Sequence, residues 1–241
     1  MLENRSALPA GNGIVAREMS AVQRAVLKNV YVWMTAGLAI TGLTATYVAS
    51  NEAMVRAIAG NPVLLFGLII AELGLVFFLS ARIHKMSPMA ATMAFAVYSL
   101  LNGVTLSVVF LAYTGASIAR VFFLAGGMFA GMSVYALTTK RNLASWGSYL
   151  FMGLIGVILA SVVNIFLASQ ALDWIISLAG VAIFLGLTAY DTQRIMALAD
   201  QWSQGMDEAN YIRLSALGAL SLYLDFINLF LFLLRLLGNR E

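Results

Sequence analysis

Long runs of apolar residues, separated by short polar segments, fill the chain from residue 30 onward. A helix needs about 20 such residues to cross the hydrocarbon core of a bilayer. The runs are continuous rather than alternating, and they are longer than strands, which excludes a transmembrane β-barrel. The pattern therefore predicts an all-α membrane protein with seven transmembrane helices, at residues 30–49, 63–81, 88–112, 118–137, 146–168, 174–196 and 212–237.

The polar segments predict a simple domain organisation. Residues 1–27 are predicted to form a polar cytoplasmic N-terminal tail, and residues 28–241 a single seven-helix transmembrane domain. Residues 197–211 are predicted to form the longest inner loop. Within the fourth span, Gly127 and Gly131 are four positions apart, a spacing that predicts close packing against another helix.

Composition supports a chain that is dissolved in lipid. Hydrophobic residues make up 61% of the sequence and charged residues 10%, whereas soluble domains contain roughly 45–50% and 25%. These values exclude a water-soluble enzyme, a disordered regulator and a nucleic-acid-binding protein. The sequence has no Cys and one His, so thiolate and multi-His metal sites cannot form. We therefore expect neither a catalytic site nor a cofactor.

Basic residues predict the orientation of the helices in the membrane. With the N-terminus inside, ten of the 14 Lys and Arg residues fall on the inner side, and four fall outside, namely Arg56, Arg120, Arg235 and Arg240. Lys and Arg favour cytoplasmic segments. We expect an integral protein of a bacterial inner membrane with a cytoplasmic N-terminus. The side of the C-terminus stays open, because the last helix is either a full span or re-entrant.

Ionisable residues within the spans carry the functional signal. A charge at the bilayer centre costs at least about 2.5–3.5 kcal/mol, and such residues usually mark ion or proton pathways. Glu72, Asp191 and Asp225 are the acids in this position. A polar and small stripe with helical spacing continues along the seventh helix and is predicted to face the bundle interior; it comprises Ser215, Gly218, Ser221, Asp225 and Asn228. Candidates for lining a pathway are Glu72, Asn102, Ser221 and Asn228.

The two Asp residues differ in their local partners. Asp191 has two candidate cations, Arg194 on the same helix face and Arg82 at the inner end of the second helix. Asp225 has no cation within one helical turn, which favours a proton or ion site. Contact between the two carboxylates depends on helix tilt and is left open by the sequence.

Two segments resemble the Bax inhibitor family of membrane proteins. The segment 189–193, AYDTQ, is similar to the signature of that family's sixth helix. The segment 222–230, LYLDFINLF, is similar to its seventh helix. The resemblance covers about residues 20–238. It implies seven helices, with six wrapped around the last, and a calcium-leak channel or transporter.

The resemblance also assigns roles to residues. It implies that Asp191 and Asp225 form a pH sensor and that Arg82 forms a gating ion pair with one of them. Two carboxylates in one desolvated site cannot both ionise cheaply, so they titrate as a unit. Ca²⁺ takes six to eight oxygens, so the pair predicts at most a weak calcium site that also uses Asn228, backbone carbonyls and water. The expected partners are the lipid bilayer and calcium or protons.

Two other functions stay open. A non-transporting regulator would bind other membrane proteins through its helices, and fold alone does not exclude it. An intramembrane aspartyl protease also places an Asp in its sixth and seventh helices. That enzyme normally has Gly-x-Gly before the second Asp, whereas Tyr223 and Leu224 precede Asp225 here.

Overall fold

The computed structural model describes residues 19–202 and 207–239, and these residues form helices and no strands. Residues 1–18, most of the predicted N-terminal tail, lie outside the described residues. A short 3-10 turn, Ile83–Lys85, separates the third and fourth helices. The helices are α1 (Ala21–Ser50), α2 (Glu52–Ala59), α3 (Pro62–Arg82), α4 (Pro88–Leu106), α5 (Val109–Ala112), α6 (Gly115–Thr138), α7 (Trp146–Leu167), α8 (Gln170–Trp202) and α9 (Glu208–Leu237).

Seven spans in the described ranges are long and apolar enough to cross a membrane, which confirms the predicted class. Six of them are α1, α3, α6, α7, α8 and α9, and the remaining span, Pro88–Ala112, combines α4 and α5. The helices begin where the sequence supplies caps. Ser20 and Gln23 form a reciprocal capping box at the start of α1. As a result α1 already includes residues 21–27, and Val26 and Leu27 lie in the core.

Helices replace most of the predicted inner loop at residues 197–211. Helix α8 continues to Trp202, and α9 begins at Glu208 with Asp207 as its N-cap. The prediction of a loop over these helical residues is wrong, because helix ends that leave the hydrocarbon core still pack on each other. The Tyr211 hydroxyl donates a hydrogen bond of 2.9 Å to the carbonyl of Ala25.

Helix α2 is a short amphipathic element that the apolar runs did not predict. Asn51 caps it, and Val55 and Ile58 are buried on one side. On its exposed side Arg56 forms an ion pair with Glu52 at 2.5 Å. Eight residues are too few to cross a bilayer, so a search for long apolar runs misses such a helix.

Helix α9 is the most extensively buried of the seven spans. It packs against α1, α4, α6 and α8, whereas α3 packs mainly on α4 and α7 on α8. The arrangement of six helices around the seventh, which the resemblance implied, stays a prediction. Four neighbours contact α9 extensively, and a cavity separates it from parts of α3 and α7.

The two ends of α9 lie at opposite ends of the bundle. At its C-terminal end, the Asn239 carbonyl accepts a hydrogen bond from the Thr114 amide at 3.2 Å, which holds it at the α5–α6 connection. Its N-terminal end contacts the start of α1 through Tyr211. A continuous α9 therefore traverses the bundle and is not re-entrant. We call the end that carries the start of α1 the inner end, in line with the predicted orientation.

Close helix approach in this bundle depends on glycines other than the predicted pair. A Cβ added to Gly218 on α9 would lie 2.8 Å from Val30 and 3.1 Å from Ile195. A larger residue here would force the Val30 side chain to shift, so glycine favours the close approach of α9 to α1 and α8. At Gly127 and Gly131 an added Cβ would meet nothing within 4 Å. The expectation that this pair packs against another helix is wrong among the described residues of the chain.

Candidate functional site

The polar stripe of α9 faces the interior, as its spacing predicted. Ser215 and Gly218 are buried, and Ser221, Asp225 and Asn228 line a cavity of about 1160 Å³. The cavity is bounded by α3, α4, α7, α8 and α9. The stripe lies inside because polar groups in contact with lipid chains would lack hydrogen-bonding partners.

Asp225 is the least satisfied acid of the cavity. The residue is only 4% exposed, and its Oδ2 has no hydrogen-bond partner in the described part of the protein. The neighbouring Asn228 amide does not help, because its Nδ2 donates to the carbonyl of Leu224 on the same helix at 2.8 Å. A buried carboxyl without a partner is costly in a packed membrane core, which points to a role beyond packing.

Asp191 lines the same cavity as Asp225. Asp191 also forms an ion pair with Arg194 on its own helix, with Nη1 and Oδ1 4.0 Å apart. This distance is the upper limit for an ion pair, and the Arg194 side chain is 59% exposed, so the interaction is weak.

Arg82 does not take the position that the resemblance implied. It is the last residue of α3 and is exposed. Within the described ranges no ion pair joins it to Asp191, whose cationic partner is Arg194. The local pairing prevails because residues three apart on one helix are neighbours at any helix tilt, whereas an α3–α8 pair depends on how the helices pack.

Glu72 is buried and faces α4. Its Oε1 accepts a hydrogen bond from the Thr105 hydroxyl at 2.6 Å, and its Oε2 accepts a long one from Asn102 at 3.5 Å. Glu72, Asn102 and Thr105 all line the cavity. The sequence had identified Glu72 and Asn102 separately and had missed Thr105, because a single Thr is ordinary in a membrane helix.

Two tyrosines extend this polar cluster towards α1 and were also missed. The Tyr98 hydroxyl accepts a hydrogen bond from Asn102 at 3.4 Å. The Tyr98 ring meets that of Tyr223 edge to face at a centroid distance of 5.6 Å. The Tyr223 hydroxyl lies 2.6 Å from the Thr41 hydroxyl, within hydrogen-bonding distance. Tyr98 and Asn102 are one turn apart, and this spacing was the available signal.

The cavity opens towards lipid between α3 and α7. Leu73 of α3 and Phe151 of α7 line it and are exposed on the outer face of the bundle. Towards the inner end, a second pocket of about 510 Å³ shares Asp191, Arg194 and Ser221 with it. The opposite, outer end of the large cavity is apolar. There the Phe232 ring stacks on the Phe184 ring, with a centroid distance of 5.8 Å. The two Asp residues thus lie between the inner pocket and the apolar end of the cavity.

The acids of the cavity do not form a dense ligand cluster. No group of three or more His, Cys, Asp and Glu residues converges anywhere in ranges 19–202 and 207–239. A Ca²⁺ ion at the Asp pair would therefore take most of its six to eight oxygens from water, amides and carbonyls. Such a site is suited to brief occupancy rather than storage.

Comparisons with known proteins match nearly the whole chain. The family model described as "Inhibitor of apoptosis-promoting Bax1" matches residues 23–241. The chain is 51% identical to the inner membrane protein YbhL of Escherichia coli over 215 residues, 89% of this chain and 92% of that protein. It is 43% identical to the uncharacterized protein RP147 of Rickettsia prowazekii over 222 residues, 91% of each chain. A match of this extent, together with the two Asp segments that resemble the same proteins, means that the chain belongs to the Bax inhibitor family.

Proposed function

We propose that this protein is a pH-sensitive cation leak pathway, with calcium as the transported ion, in a bacterial inner membrane. The observation that carries the proposal is the pair of acids, Asp191 and Asp225, lining one cavity within the membrane bundle. The name of the Escherichia coli relative, an inner membrane protein, supports the location.

Protonation changes the interaction between these two acids. With one proton shared, the carboxyls tolerate each other in a desolvated site. With both ionised, they repel each other and attract a cation. The repulsion acts between α8 and α9, the two helices that carry the acids. A change in proton occupancy therefore biases the packing of these helices and the affinity of the cavity for a cation.

The shape of the cavity supports leak rather than storage. The inner pocket reaches Asp191, and Ser221 continues the polar surface towards Asp225. Beyond Asn228, the next polar residue of the stripe, the apolar side chains of Leu231 and Phe232 line the cavity. A constriction of this kind closes a pathway by excluding water. Conduction requires that this apolar end opens.

Ion flux through the purified protein in liposomes tests the proposal. Calcium entry is followed with a trapped dye while the external pH is varied, in the wild type and in Asp225→Asn. The matched control is Asp173→Asn, which removes an acid that forms an ion pair with Arg235 outside the cavity, at 3.5 Å. We expect pH-dependent flux in the wild type and the control, and a flat pH profile in Asp225→Asn.

The same preparation separates the alternatives. Absence of flux at every pH, from protein that is folded and inserted, would overturn the leak and favour the regulator that binds other membrane proteins. Cleavage of an added transmembrane peptide, lost in Asp191→Asn and in Asp225→Asn but kept in Asp173→Asn, would instead indicate the intramembrane protease. Equal pH profiles in the wild type and Asp225→Asn would show that the pH dependence of the ion flux does not come from the Asp pair.

A further inference from the structure

A separate pocket of about 570 Å³ lies at the inner end of the bundle. It is formed by the start of α1, the end of α6, the α6–α7 connection and the end of α8. Three cationic side chains line it, Lys140, Arg141 and Arg194, against one carboxylate, that of Asp200. Asp200 itself takes part in an interaction. The described side chains that line the pocket therefore carry a positive net charge.

Gln193 holds the cationic connection in a defined position on α8. Its Oε1 accepts a hydrogen bond from the Leu143 amide at 2.9 Å. Its Nε2 donates to the carbonyls of Ala136 at 3.2 Å and Arg141 at 3.1 Å. The segment that carries Lys140 and Arg141 is thereby fastened next to Arg194, and the three cations belong to one fixed site rather than to a loose loop.

Lys140 and Arg141 form no ion pair within residues 19–202 and 207–239. Both residues are exposed. They follow closely on Thr138, the last residue of α6. A helix of 24 residues is about 36 Å long at 1.5 Å per residue, which exceeds the roughly 30 Å hydrocarbon core. The two cations thus lie at the depth of the lipid headgroups.

Arg194 connects this pocket to the Asp pair. It lines both the inner basic pocket and the cavity that contains Asp191 and Asp225. Its distance of 4.0 Å from Asp191 leaves that ion pair weak. A phosphate group can accept two parallel hydrogen bonds from one guanidinium, which is a stronger arrangement. A phosphate bound beside Lys140 and Arg141 would therefore compete with Asp191 for Arg194.

We propose that this pocket binds the headgroup phosphate of an anionic phospholipid and that the bound lipid draws Arg194 away from Asp191. A lipid fits better than free phosphate because apolar side chains border the cations, those of Met19, Leu137 and Met196. Basic pockets between membrane helices on the cytoplasmic side are suited to such headgroups. The inference concerns the same Asp191 as the proposed function, but it is tested by binding alone and needs no ion flux.

Thermal unfolding of the purified protein in a neutral detergent measures the binding. A ligand that binds only the folded state raises the unfolding temperature. We expect short-chain phosphatidylglycerol, at about 100 times its dissociation constant, to raise the unfolding temperature by about 5 °C. Phosphatidylcholine of the same chain length and inorganic phosphate should each give less than a third of that shift.

Paired charge removals provide the control. The double variant Lys140→Gln with Arg141→Gln should lose most of the shift. The matched double variant Arg24→Gln with Lys85→Gln removes two exposed positive charges from the same end of the bundle but outside the pocket, and it should keep the shift. Equal shifts in the two double variants would overturn the site. An equal shift with inorganic phosphate, or with phosphatidylcholine, would overturn the assignment to an anionic lipid.

Competition with Asp191 has its own readout. Two ligands that compete for one group weaken each other reciprocally. Asp191→Asn frees Arg194, so we expect half-maximal stabilisation at a phosphatidylglycerol concentration about threefold lower than in the wild type. An unchanged concentration would show that the lipid does not compete with Asp191. Absence of flux in liposomes would overturn the leak and would leave this result untouched.

Discussion

The two acidic regions of the cavity, one around Glu72 and one around the Asp pair, have opposite hydrogen-bonding states. Both Glu72 oxygens accept hydrogen bonds, from Thr105 and Asn102. In contrast, Asp225 has an oxygen without a partner, and Asp191 has only a 4.0 Å contact with Arg194. Both regions line the same cavity, so burial alone does not distinguish them.

The difference suggests separate roles for the two regions. An acid whose oxygens are hydrogen-bonded in the membrane stabilises the packing of the helices that it joins, here α3 and α4. An acid that lacks partners retains its affinity for a proton or a cation, because binding either one supplies what the protein does not. Glu72 therefore fits a structural role in the cavity wall, and the Asp pair fits the ion-responsive role.

The largest expected effect separates these roles by the pH response of the leak. Asp191→Asn and Asp225→Asn should each reduce the ratio between the highest and the lowest leak over the pH series by about tenfold or more. A tenfold change corresponds to a loss of about 1.4 kcal/mol of coupling between protonation and leak. Glu72→Gln should keep most of the wild-type ratio. The measurement is calcium flux in liposomes over a pH series.

Other results of that series are also informative. A flat profile for Glu72→Gln alone would reverse the comparison and assign the sensor to the α3–α4 region. A change in Asp225→Asn without one in Asp191→Asn would identify Asp191 as part of a packing ion pair with Arg194.

The next effect concerns stability. Thr105→Val removes the hydroxyl that donates to Glu72 Oε1 and leaves a buried acceptor unpaired. We expect the free energy of unfolding to fall by about 1–2 kcal/mol. Denaturant unfolding in detergent measures the change. Thr92→Val is the control on the same helix, because its hydroxyl bonds only to the Pro88 carbonyl one turn away.

Asp225→Asn belongs in the same stability series. It replaces an acid without a hydrogen-bond partner on Oδ2, so we expect no loss of stability. A loss as large as that of Thr105→Val would mean that Asp225 stabilises the fold as Glu72 does, and the contrast between the two acids would be wrong.

A smaller effect compares Arg194, the partner of Asp191, with Arg82, the partner that the resemblance implied. The Asp191–Arg194 pair is largely exposed on the Arg side, and such pairs contribute up to about 1 kcal/mol. Arg194→Gln should therefore change the leak by about two- to fivefold and should add little to Asp191→Asn, since partners in one interaction are not additive. Arg82→Ala should change the leak less than Arg194→Gln does.

The Arg82 variant also tests the ion pair that the resemblance implied. If Arg82 gates through Asp191 in another state of the protein, Arg82→Ala raises the basal leak and blunts its pH response. The double variant Arg82→Ala with Asp191→Asn would then be no stronger than Arg82→Ala. Flux that shows these two features would assign the gate to Arg82 rather than Arg194.

The last experiment tests the orientation of the protein in the membrane and is expected to leave its activity unchanged. It determines which side of the membrane the Asp191 end of the cavity faces. The sequence has no native Cys, so single cysteines can be labelled cleanly. In intact cells an impermeant reagent should label Asn239→Cys and not Ala21→Cys. Labelling of both, or of Ala21→Cys alone, would contradict the orientation predicted from the basic residues.

Properties that depend on distance along one helix could be predicted from the residues alone. Apolar run length predicted seven spans because the bilayer thickness sets the length of a helix. Helical periodicity predicted that Ser221, Asp225 and Asn228 share one interior face, because residues three or four apart lie on the same side of a helix. The Asp191–Arg194 pair could also be predicted, because it joins residues three apart on one helix. Helix ends beyond the bilayer were predicted poorly, since no length constraint applies at residues 197–211.

Contacts between side chains of different helices could not be predicted in this way, because they depend on the three-dimensional packing. The hydrogen bond from Thr105 to Glu72 joins residues 33 apart in sequence, and its formation depends on the rotation of α3 against α4. The shared cavity of Asp191 and Asp225 and the separation of Arg82 from Asp191 depend likewise on how α3, α8 and α9 tilt. Helix rotation and tilt are set by the packing of all side chains together, and no local pattern in the sequence encodes them.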